Sequence, residues 1–364
     1  MKHFKLPFYN IIFCNLLLVL FSCSNSNKTA NTFVTIKEEA FYINNKITYE
    51  GRHWKNHKIE GLLFNSRMVQ GVFDDTNPET RTLFGYPDTK AWDPNRNTQE
   101  FINAMPNWKS HGLLAFTLNL QGGSPTGYGN KDWVNSTFDS KGNLKPAYLD
   151  RLESILNKAD ELGMVVILGY FYFGQDQLLK DETAVVNAVD NITNWIIEKG
   201  YKNILIEINN ECDIQYDHEI LKPKRVDELI KRVKNLSNNT LLVGTSFSGN
   251  ALPTPNVIET SDFILIHGNG ANAEDIKNLV LNVRNSEVYT PKPILYNEDD
   301  HYDFDKESYN LLSAIENYAS WGYFDFRRDG EDFEEGFQSV PVDWEINSER
   351  KKDFFNKLKE ITGY

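Results

Sequence analysis

Cysteine is scarce in this sequence, and basic residues are outnumbered by acidic ones. The chain has 3 cysteines, of which Cys14 and Cys23 lie near its beginning and only Cys212 lies further on. Beyond residue 23 there is therefore no cysteine pair for an internal disulfide, and no cysteine-based metal site. The formal net charge of -13 argues against nucleic acid or an anionic membrane face as a partner, because both attract basic surfaces.

The first apolar run is too short to cross a bilayer. It extends from Ile11 to Phe21 and follows Lys2 and Lys5, which is typical of a secretory signal peptide rather than of a fold element. Its ending, Leu20-Phe21-Ser22-Cys23, resembles a bacterial lipobox, in which the cysteine becomes the lipidated first residue. We therefore predict a lipoprotein signal peptide over residues 1–23 and lipidation of Cys23. Ordinary secretory cleavage nearby is the alternative.

The segment after the signal peptide is polar and rich in asparagine, which predicts a flexible tether over residues 24–34. Residues 35–364 show no linker-like break and no repeat, so they are expected to form one domain. Lipoproteins that reach the outer cell surface often carry acidic residues just after the cysteine, and this chain has none there. We expect an exported outer membrane lipoprotein, with the periplasmic face favoured over the cell surface.

Apolar runs alternate with amphipathic helical patterns along the domain. The predicted strands are residues 60–65, 113–120, 164–171, 203–208, 241–246, 262–267, 293–297 and 321–326. The predicted helices are residues 98–110 with Thr98 as N-cap, 146–162, 182–199, 225–236, 274–284, 306–319 and 348–361, with a weak pattern over 256–260.

Eight strand–helix units predict an α/β fold of the (β/α)8 TIM barrel type, because near-continuous apolar strands separated by helices form a parallel sheet covered by helices. A short β-hairpin, residues 41–47, precedes the barrel as a lead-in. The alternative is a doubly wound open sheet. That fold needs a glycine-rich phosphate turn leading into a helix, and the nearest candidate, Gly122-Gly123, is followed by Ser-Pro instead.

Polar and aromatic side chains recur where these strands end, and in a barrel such positions converge on one mouth. Two strand ends carry an Asn-Glu pair: Asn210-Glu211 closes the fourth strand and Asn297-Glu298 closes the seventh. Two carboxylates delivered in this way suit cleavage of a glycosidic bond, where one acts as acid/base and the other as nucleophile.

The run from Glu207 to Glu211, Glu-Ile-Asn-Asn-Glu, resembles the fourth-strand motif of clan A glycoside hydrolases, particularly glycoside hydrolase family 5. The resemblance implies that Glu211 is the acid/base, that Asn210 holds the sugar's 2-hydroxyl, and that Glu298 is the nucleophile. It also implies that His267 lines the catalytic subsite and that Trp321 forms its floor. No cofactor is expected, and the expected partner is a poly- or oligosaccharide.

The chain also departs from the family pattern. Asn119 stands where family 5 usually has an arginine, which Arg67 could replace, and Cys212 stands where a proline usually follows the acid/base. Clan membership is therefore better supported than membership of family 5, and a particular substrate is not implied. The full set of predicted substrate-binding residues is Asn210, His267, Trp321, Arg67, Asn119, Gln121, Tyr172, Asn269, Asp300 and His301.

Each functional assignment has a plainer alternative. Glu211 and Glu298 could be solvated loop acids, and His267 a core histidine. For Glu207, below Glu211 on the inward side, a structural ion pair, for example with Arg67, is expected rather than a catalytic role. Residues 299–301, Asp-Asp-His, could join Glu211 in binding a divalent ion. Three consecutive residues do not easily all point at one ion, however, so no metal is predicted.

The prediction is therefore a retaining glycoside hydrolase. Two other functional classes remain open: a catalytically inactive clan A-like surface glycan-binding lipoprotein, and a metal-dependent barrel enzyme. The inactive binder would be expected to have lost one carboxylate of the pair, and the metal-dependent enzyme should lose its activity to a chelator.

If Cys23 is lipidated, Cys23→Ser should release the protein from membranes or stop its maturation. Fractionation of cells into membrane and soluble parts measures this, and Cys14→Ser serves as the matched control because Cys14 lies within the predicted leader. Unchanged membrane partitioning of Cys23→Ser would contradict the lipid anchor.

Overall fold

The computed structural model describes residues 1–3, 30–129 and 132–364. The predicted leader and its lipidation residue, Cys23, lie outside the described residues apart from the first three. Within the described part of the chain, no helix combines the length and apolar character needed to cross a membrane.

A three-stranded antiparallel sheet precedes the barrel, which confirms the predicted hairpin and adds a strand to it. The strands are β1 Val34–Lys37, β2 Ala40–Ile43 and β3 Lys46–Ile47. Asn44 and Asn45 connect β2 to β3 with positive φ angles of 53° and 64°, a conformation that asparagine tolerates better than most residues. A second small hairpin follows, formed by β4 His53–Trp54 and β5 His57–Lys58.

The ordered domain begins before the predicted boundary at residue 35. The backbone N–H and side-chain hydroxyl of Thr32 donate to the Asp160 carboxylate and carbonyl at 2.8 and 2.7 Å, and Asn31 also donates to that carboxylate. Thr32 is almost fully buried. The predicted tether therefore cannot extend through residue 34, because the segment is fixed to the barrel by residue 31.

Eight short strands form the barrel, as predicted, and all of their pairings are parallel. The strands are β6 Asn65–Arg67, β7 Ala115–Asn119, β8 Val165–Phe171, β9 Ile204–Asn209, β10 Leu242–Gly244, β11 Ile264–His267, β12 Ile294–Glu298 and β13 Gly322–Tyr323. Six of them form a continuous arc in the order β10-β9-β8-β7-β6-β13, and β11 pairs with β12 in a second piece. Isolated bridges Leu295↔Ser320 and Asp299↔Tyr323 join β12 to the β13 side of the arc.

Helices cover the outside of the barrel and follow the predicted pattern closely. Gly163 and Gly200 end two of them with φ of 69° and 77°, the left-handed conformation that glycine adopts at least cost. The helices are α1 Pro94–Ser110, α2 Pro146–Leu162, α3 Glu182–Lys199, α4 Val226–Leu236, α5 Pro255–Thr260, α6 Ala273–Arg284, α7 Asn310–Glu316 and α8 Glu349–Thr362.

Several predicted element boundaries differ from the structure: the predicted helix 306–319 is Asn310–Glu316, and the predicted strands 241–246 and 321–326 are Leu242–Gly244 and Gly322–Tyr323. Two further differences have a clear cause. Asp93 caps α1, since its carboxylate accepts from the N–H groups of Asn95 and Arg96, whereas Thr98 lies inside the helix and donates to the Gly71 carbonyl. The first barrel strand begins at Asn65 rather than near residue 60. The preceding apolar run is buried, but its backbone pairs with a barrel strand only at its end. Leu63 N–H donates to Ser320 Oγ at 2.8 Å, and the Phe64 carbonyl accepts from Ala115 N–H of the next strand at 3.3 Å.

The last strand is held in place by α8. Phe354 of α8 stacks on Tyr323 with ring centroids 4.3 Å apart and contacts Trp321 at 6.1 Å. All three side chains are buried, so the aromatic surfaces of Trp321 and Tyr323 face the helix layer rather than the interior of the barrel. This packing fixes the strand that neighbours β6 and β12.

Phe354→Ala should lower the free energy of unfolding by about 3–5 kcal/mol, because it removes a buried aromatic ring and leaves a cavity. Thermal and denaturant unfolding followed by circular dichroism measures this. Lys352→Ala on the exposed side of the same helix is the control and should change stability by well under 1 kcal/mol. Equal stabilities of the two variants would show that α8 does not fix the last strand.

Candidate active site

Two glutamates meet at the carboxyl ends of the barrel strands. Glu298 is the last residue of β12, and Glu211 follows β9 by two residues. A carboxylate oxygen of each, together with a ring nitrogen of His267, forms a group whose atoms all lie within 4.8 Å of one another. The structure thus brings together the two carboxylates that the sequence predicted, and the solvated-loop alternative does not hold, because both are largely buried.

His267, at the end of β11, lies between the two carboxylates. Its Nδ1 is 3.0 Å from Glu211 Oε1 and 3.6 Å from Glu298 Oε2, while its Nε2 is buried and has no hydrogen-bond partner. The ring is completely buried. His267 therefore belongs to the candidate site by position, and its predicted role in lining a catalytic subsite stays a prediction.

Arg67 contacts the second carboxylate at Oε2, the same oxygen that His267 approaches. The guanidinium Nη1 lies 3.0 Å from Glu298 Oε2, and Nε donates to Gln338 Oε1 at 3.0 Å. The guanidinium also lies over the rings of Tyr172 and Phe324, each 5.8 Å away. Arg67 was expected to pair with Glu207, and this was wrong: its ion pair is made with Glu298, and Glu207 Oε1 accepts from Asn297 at 3.4 Å.

Asn269 completes the surroundings of Glu298. Its Nδ2 donates to Glu298 Oε1 at 3.0 Å and to the Tyr128 hydroxyl, also at 3.0 Å. Each oxygen of the Glu298 carboxylate thus faces a donor or a cation, Asn269 on one side and Arg67 on the other. This arrangement fixes the orientation of the carboxylate.

The backbone at Glu211 adopts a left-handed conformation with φ of 52°, which is uncommon for a residue other than glycine. Ser246, after β10, holds it there. Its Oγ accepts from the Glu211 N–H at 2.9 Å, and its carbonyl accepts from the Cys212 N–H at 2.9 Å. Strain of this kind clusters at functional sites, and here it turns Glu211 out of the strand direction toward His267.

The electrostatics of the site follow from burying several charges together. The pKa of Glu298 lies above its usual value, chiefly because the carboxyl is buried. The positive charges of Arg67 and His267 oppose this increase, and the negative charge of Glu211 adds to it. Burial alone would lower the pKa of His267, but Glu298 and Glu211 together raise it above its ordinary value. Burial likewise opposes the charge of Arg67, yet Glu298 and the other nearby acids keep its pKa raised.

Two buried amides of the site have no hydrogen-bond partner in the structure. Both the oxygen and the nitrogen of the Asn210 side chain are unpaired, and the same holds for Asn119. Leaving a buried amide unpaired costs free energy, so these groups are suited to bonding a polar ligand. The predicted substrate-binding role of Asn210 remains consistent with this geometry.

Two of the predicted substrate-binding residues do not reach the site. Gln121 donates to Ser136 Oγ and the Gln175 carbonyl and accepts from the Tyr172 N–H, so it holds the loop after β7. Trp321 is fully buried and its Nε1 donates to Asp299 Oδ2 at 2.8 Å. The predicted floor role of Trp321 was wrong, because its ring packs under α8.

Residues 299–301 form a compact cluster despite being consecutive. Their ligand-type atoms lie within 4.8 Å of one another, which contradicts the expectation that they could not point at one place. The cluster is internally bonded, however: His301 Nδ1 lies 2.7 Å from Asp299 Oδ1, and Trp321 and Asn310 donate to the same carboxylate. Asp300 Oδ2 accepts from the Tyr128 hydroxyl at 2.6 Å.

Three further residues belong to the site but were not among its predicted residues. Ser246 ends the predicted strand 241–246 and was expected at the mouth for that reason, but no role was predicted for it. Phe324 follows β13, which at two residues is too short for alternation to indicate its side. In the structure Gly322 lies against the Asn65 side chain and Phe324 contacts Arg67, whereas Trp321 and Tyr323 face outward. Tyr128 lies in an irregular loop, where sequence periodicity gives no orientation.

Arg67→Met should raise the pKa of Glu298 further, because the mutation removes the nearby positive charge that favours the ionised carboxylate. A pH titration of the carboxyl carbon signals of labelled glutamate by NMR measures this. Arg81→Met, which removes an arginine paired with Asp74, is the control and should leave the Glu298 signal unchanged. An unaltered or lower Glu298 pKa in Arg67→Met would show that the ion pair does not set its charge.

Comparison with known proteins identifies the fold. No family model matches the chain and no curated protein matches it, but solved structures do. A glycoside hydrolase family 5 structure from Bacteroides vulgatus ATCC 8482 is 15% identical, with a TM-score of 0.56, over 90% of this chain and 71% of that one. An endo-1,4-beta-mannanase from Rhizomucor miehei is 12% identical, with a TM-score of 0.54, over 91% of this chain and 99% of that one.

A broad specificity endoglucanase from Bacteroides salanitronis is similar to the chain as well. It is 13% identical, with a TM-score of 0.52, over 82% of this chain and 92% of that one. At identities this low the similarity shows the fold alone. The chain therefore has the (β/α)8 barrel fold of glycoside hydrolase family 5 structures, as the sequence resemblance implied.

Proposed function

We propose that the protein is a retaining glycoside hydrolase in which Glu211 is the acid/base and Glu298 the nucleophile. The observation that carries the proposal is the approach of their carboxylate oxygens to within 4.8 Å at the mouth of a barrel. Retaining enzymes place the two carboxyls about 5–5.5 Å apart, whereas inverting enzymes leave about 6.5–9.5 Å for a water molecule. An approach of one oxygen of each carboxylate to within 4.8 Å agrees better with the shorter, retaining separation.

The contacts of the two carboxylates support different roles. Glu298 faces Arg67 and Asn269, which favour its ionised form and hold it as an oriented nucleophile, even though burial raises its pKa. Glu211 has the more exposed side chain, 12% against 5%, and bonds His267. It is therefore better placed to exchange a proton with a leaving group and then with water.

In the proposed mechanism, Glu298 attacks the anomeric carbon while Glu211 donates its proton to the departing glycosidic oxygen. A covalent glycosyl-enzyme forms, and Glu211 is left ionised. Glu211 then takes a proton from a water molecule, which attacks the anomeric carbon and releases Glu298. The second inversion restores the original configuration, and both carboxyls return to their starting states.

The substrate is proposed to be a poly- or oligosaccharide. The unpaired amide of Asn210 is suited to a sugar hydroxyl, and such a bond stabilises the transition state if it strengthens as positive charge develops on the sugar. The similarity to structures named as a mannanase and an endoglucanase agrees with a carbohydrate substrate.

Glu211, His267 and Glu298 are also residue types that bind metals, and their atoms are close enough to share an ion. Arg67, 3.0 Å from Glu298, opposes a divalent cation at this position because the two positive charges would repel each other. A chelator distinguishes a retaining glycosidase from a metal-dependent barrel enzyme, because it should leave the first fully active and inactivate the second. The inactive binder is disfavoured because both carboxylates are present and close together.

Membrane attachment is part of the proposal and rests on the sequence alone. We propose that Cys23 carries a lipid and that the barrel is exported as an outer membrane lipoprotein, with the periplasmic face favoured. Since Thr32 is already fixed to the barrel at Asp160, the segment between lipid and domain would be short.

Small-nucleophile rescue should separate the two carboxylates. Glu298→Ala should abolish turnover of natural glycosides, and added azide should restore reaction on activated glycosides with an azide product of inverted configuration. Glu211→Ala should keep glycosylation by activated substrates, and azide should then give a product of retained configuration, because it attacks the covalent intermediate. NMR of the first products reads both outcomes.

Glu349→Ala, at a highly exposed glutamate of α8, is the matched control and should behave as the unmodified protein. The opposite pattern of azide products would mean that the two roles are reversed. An inverted first product from the unmodified protein would refute double displacement.

A further inference from the structure

The site has an exposed aromatic ring, but it is not the one that the sequence predicted. Trp321 is fully buried, whereas Tyr128, in the loop after β7, keeps 52% of its surface exposed. The residue lies over the same mouth as Glu298, since both contact Asn269. An exposed aromatic ring beside a candidate nucleophile offers an apolar face on which a ligand can pack.

The ring of Tyr128 is held in place by two phenylalanines that follow β13. Phe324 and Phe326 contact it edge-to-face, with centroids 5.4 and 5.1 Å away. Gly127 has a φ of 110°, and a Cβ there would lie 2.5 Å from the Phe326 ring, so only glycine allows the loop to pack this closely. The Gly127 carbonyl also accepts from Gln338 Nε2 at 2.7 Å. The ring is thus braced in one orientation before any ligand arrives.

Hydrogen bonds tie the phenol to the candidate nucleophile. The hydroxyl donates to Asp300 Oδ2 at 2.6 Å and accepts from Asn269 Nδ2, and the same nitrogen donates to Glu298 Oε1 at 3.0 Å. The phenol oxygen is therefore two hydrogen-bond lengths from the carboxylate that would attack the sugar. A reacting sugar has its anomeric carbon about 3–3.5 Å from the nucleophile, so its ring comes within reach of Tyr128.

The charges around this place favour an uncharged sugar. Glu211, Glu298, Asp299 and Asp300 all lie around it, and their positive neighbours are already engaged. Arg67 pairs with Glu298, His267 with Glu211 and His301 with Asp299, at distances of 3.0, 3.0 and 2.7 Å respectively. An anionic sugar would meet these four carboxylates, and the three cations that contact them in the described part of the chain are already paired.

Two further atoms are suited to sugar hydroxyls. Asn269 Oδ1 and Asp300 Oδ1 are buried and accept no hydrogen bond from the described residues, although His301 Nδ1 lies 3.4 Å from Asp300 Oδ1. Both are acceptors beside the phenol of Tyr128, so they match the hydroxyl donors of a neutral sugar whose apolar face lies on the ring.

We propose that Tyr128 is the sugar-stacking residue of this site and that the sugar it binds is uncharged. The proposal rests on the proposed function, which it refines by naming a substrate class and the residue that selects it. The ring replaces the predicted platform at Trp321 with one supplied by the loop after β7.

Binding and cleavage are measured separately to test this. The full mature chain carrying Glu298→Gln, which should bind without turnover, is titrated by calorimetry with cellotetraose and mannotetraose as neutral probes and tetragalacturonate as the anionic one. At least one neutral probe should bind and the anionic probe should not. Added Tyr128→Ala should weaken neutral binding on the order of tenfold, whereas Tyr128→Phe keeps the ring and should bind as tightly as its parent.

Tyr364→Ala is the matched control. Tyr364 is similarly exposed, at 49%, and packs against Tyr49, which contacts Phe64 before the start of β6. Equal binding by Tyr128→Ala and Tyr364→Ala would overturn the stacking role, as would equal losses in Tyr128→Ala and Tyr128→Phe. Preference for tetragalacturonate, or failure of both neutral probes to bind, would overturn the uncharged substrate class.

Cleavage by the unmodified protein distinguishes a failure of this proposal from a failure of the proposed function. If the unmodified protein hydrolyses a neutral sugar and the Tyr128 variants bind it unchanged, the proposed glycosidase function stands and the stacking role of Tyr128 is refuted. Neutral binding that depends on Tyr128 without any hydrolysis supports the platform and contradicts the enzyme.

Discussion

The ion pair between Arg67 and Glu298 is the interaction on which the rest of the site depends. Two carboxylates whose oxygens come within 4.8 Å of each other repel strongly when both are ionised and shielded from water. Arg67 compensates one of them and His267 lies between the two. Because the guanidinium is itself buried between the rings of Tyr172 and Phe324, it cannot move away from Glu298 without losing that packing.

The arrangement also explains why the two glutamates are not equivalent. One is fixed by a cation and an amide, and the other by a histidine and a left-handed backbone that Ser246 holds. Different surroundings for two chemically identical groups are the usual way in which proteins divide acid and nucleophile roles. Here the two glutamates differ because their partners come from different strand ends: Arg67 of β6 contacts Glu298, and Ser246 after β10 contacts Glu211.

Much of this could be predicted from the sequence, and the exceptions have physical reasons. Glu211, Glu298 and His267 were found because each closes or follows an apolar strand, and barrel geometry brings such ends together. Trp321 was misplaced because β13 is only two residues long, so alternation gives little guidance on which side chains face outward. Thr98 was chosen as a cap although Asp93 precedes the helix and Pro94 begins it. Tyr128 could not be oriented at all, since its contacts with Asp300 and Asn269 are separated from it by 172 and 141 residues.

The barrel consists of two pieces of sheet, and the contacts of the two glutamates connect these pieces. Glu211, Ser246 and Arg67 belong to strands of the six-stranded arc or directly follow them, whereas His267 and Glu298 end the separate pair β11 and β12. The bond from His267 to Glu211 crosses one seam of the barrel, and the ion pair from Arg67 to Glu298 spans the other. The same two contacts therefore set the charges of the glutamates and hold the two pieces of sheet together. A mutation that changes the pKa of one of these carboxylates by removing its partner would also weaken a contact between the two pieces of sheet. Changes in the charge of the site would therefore be coupled to the stability of the barrel.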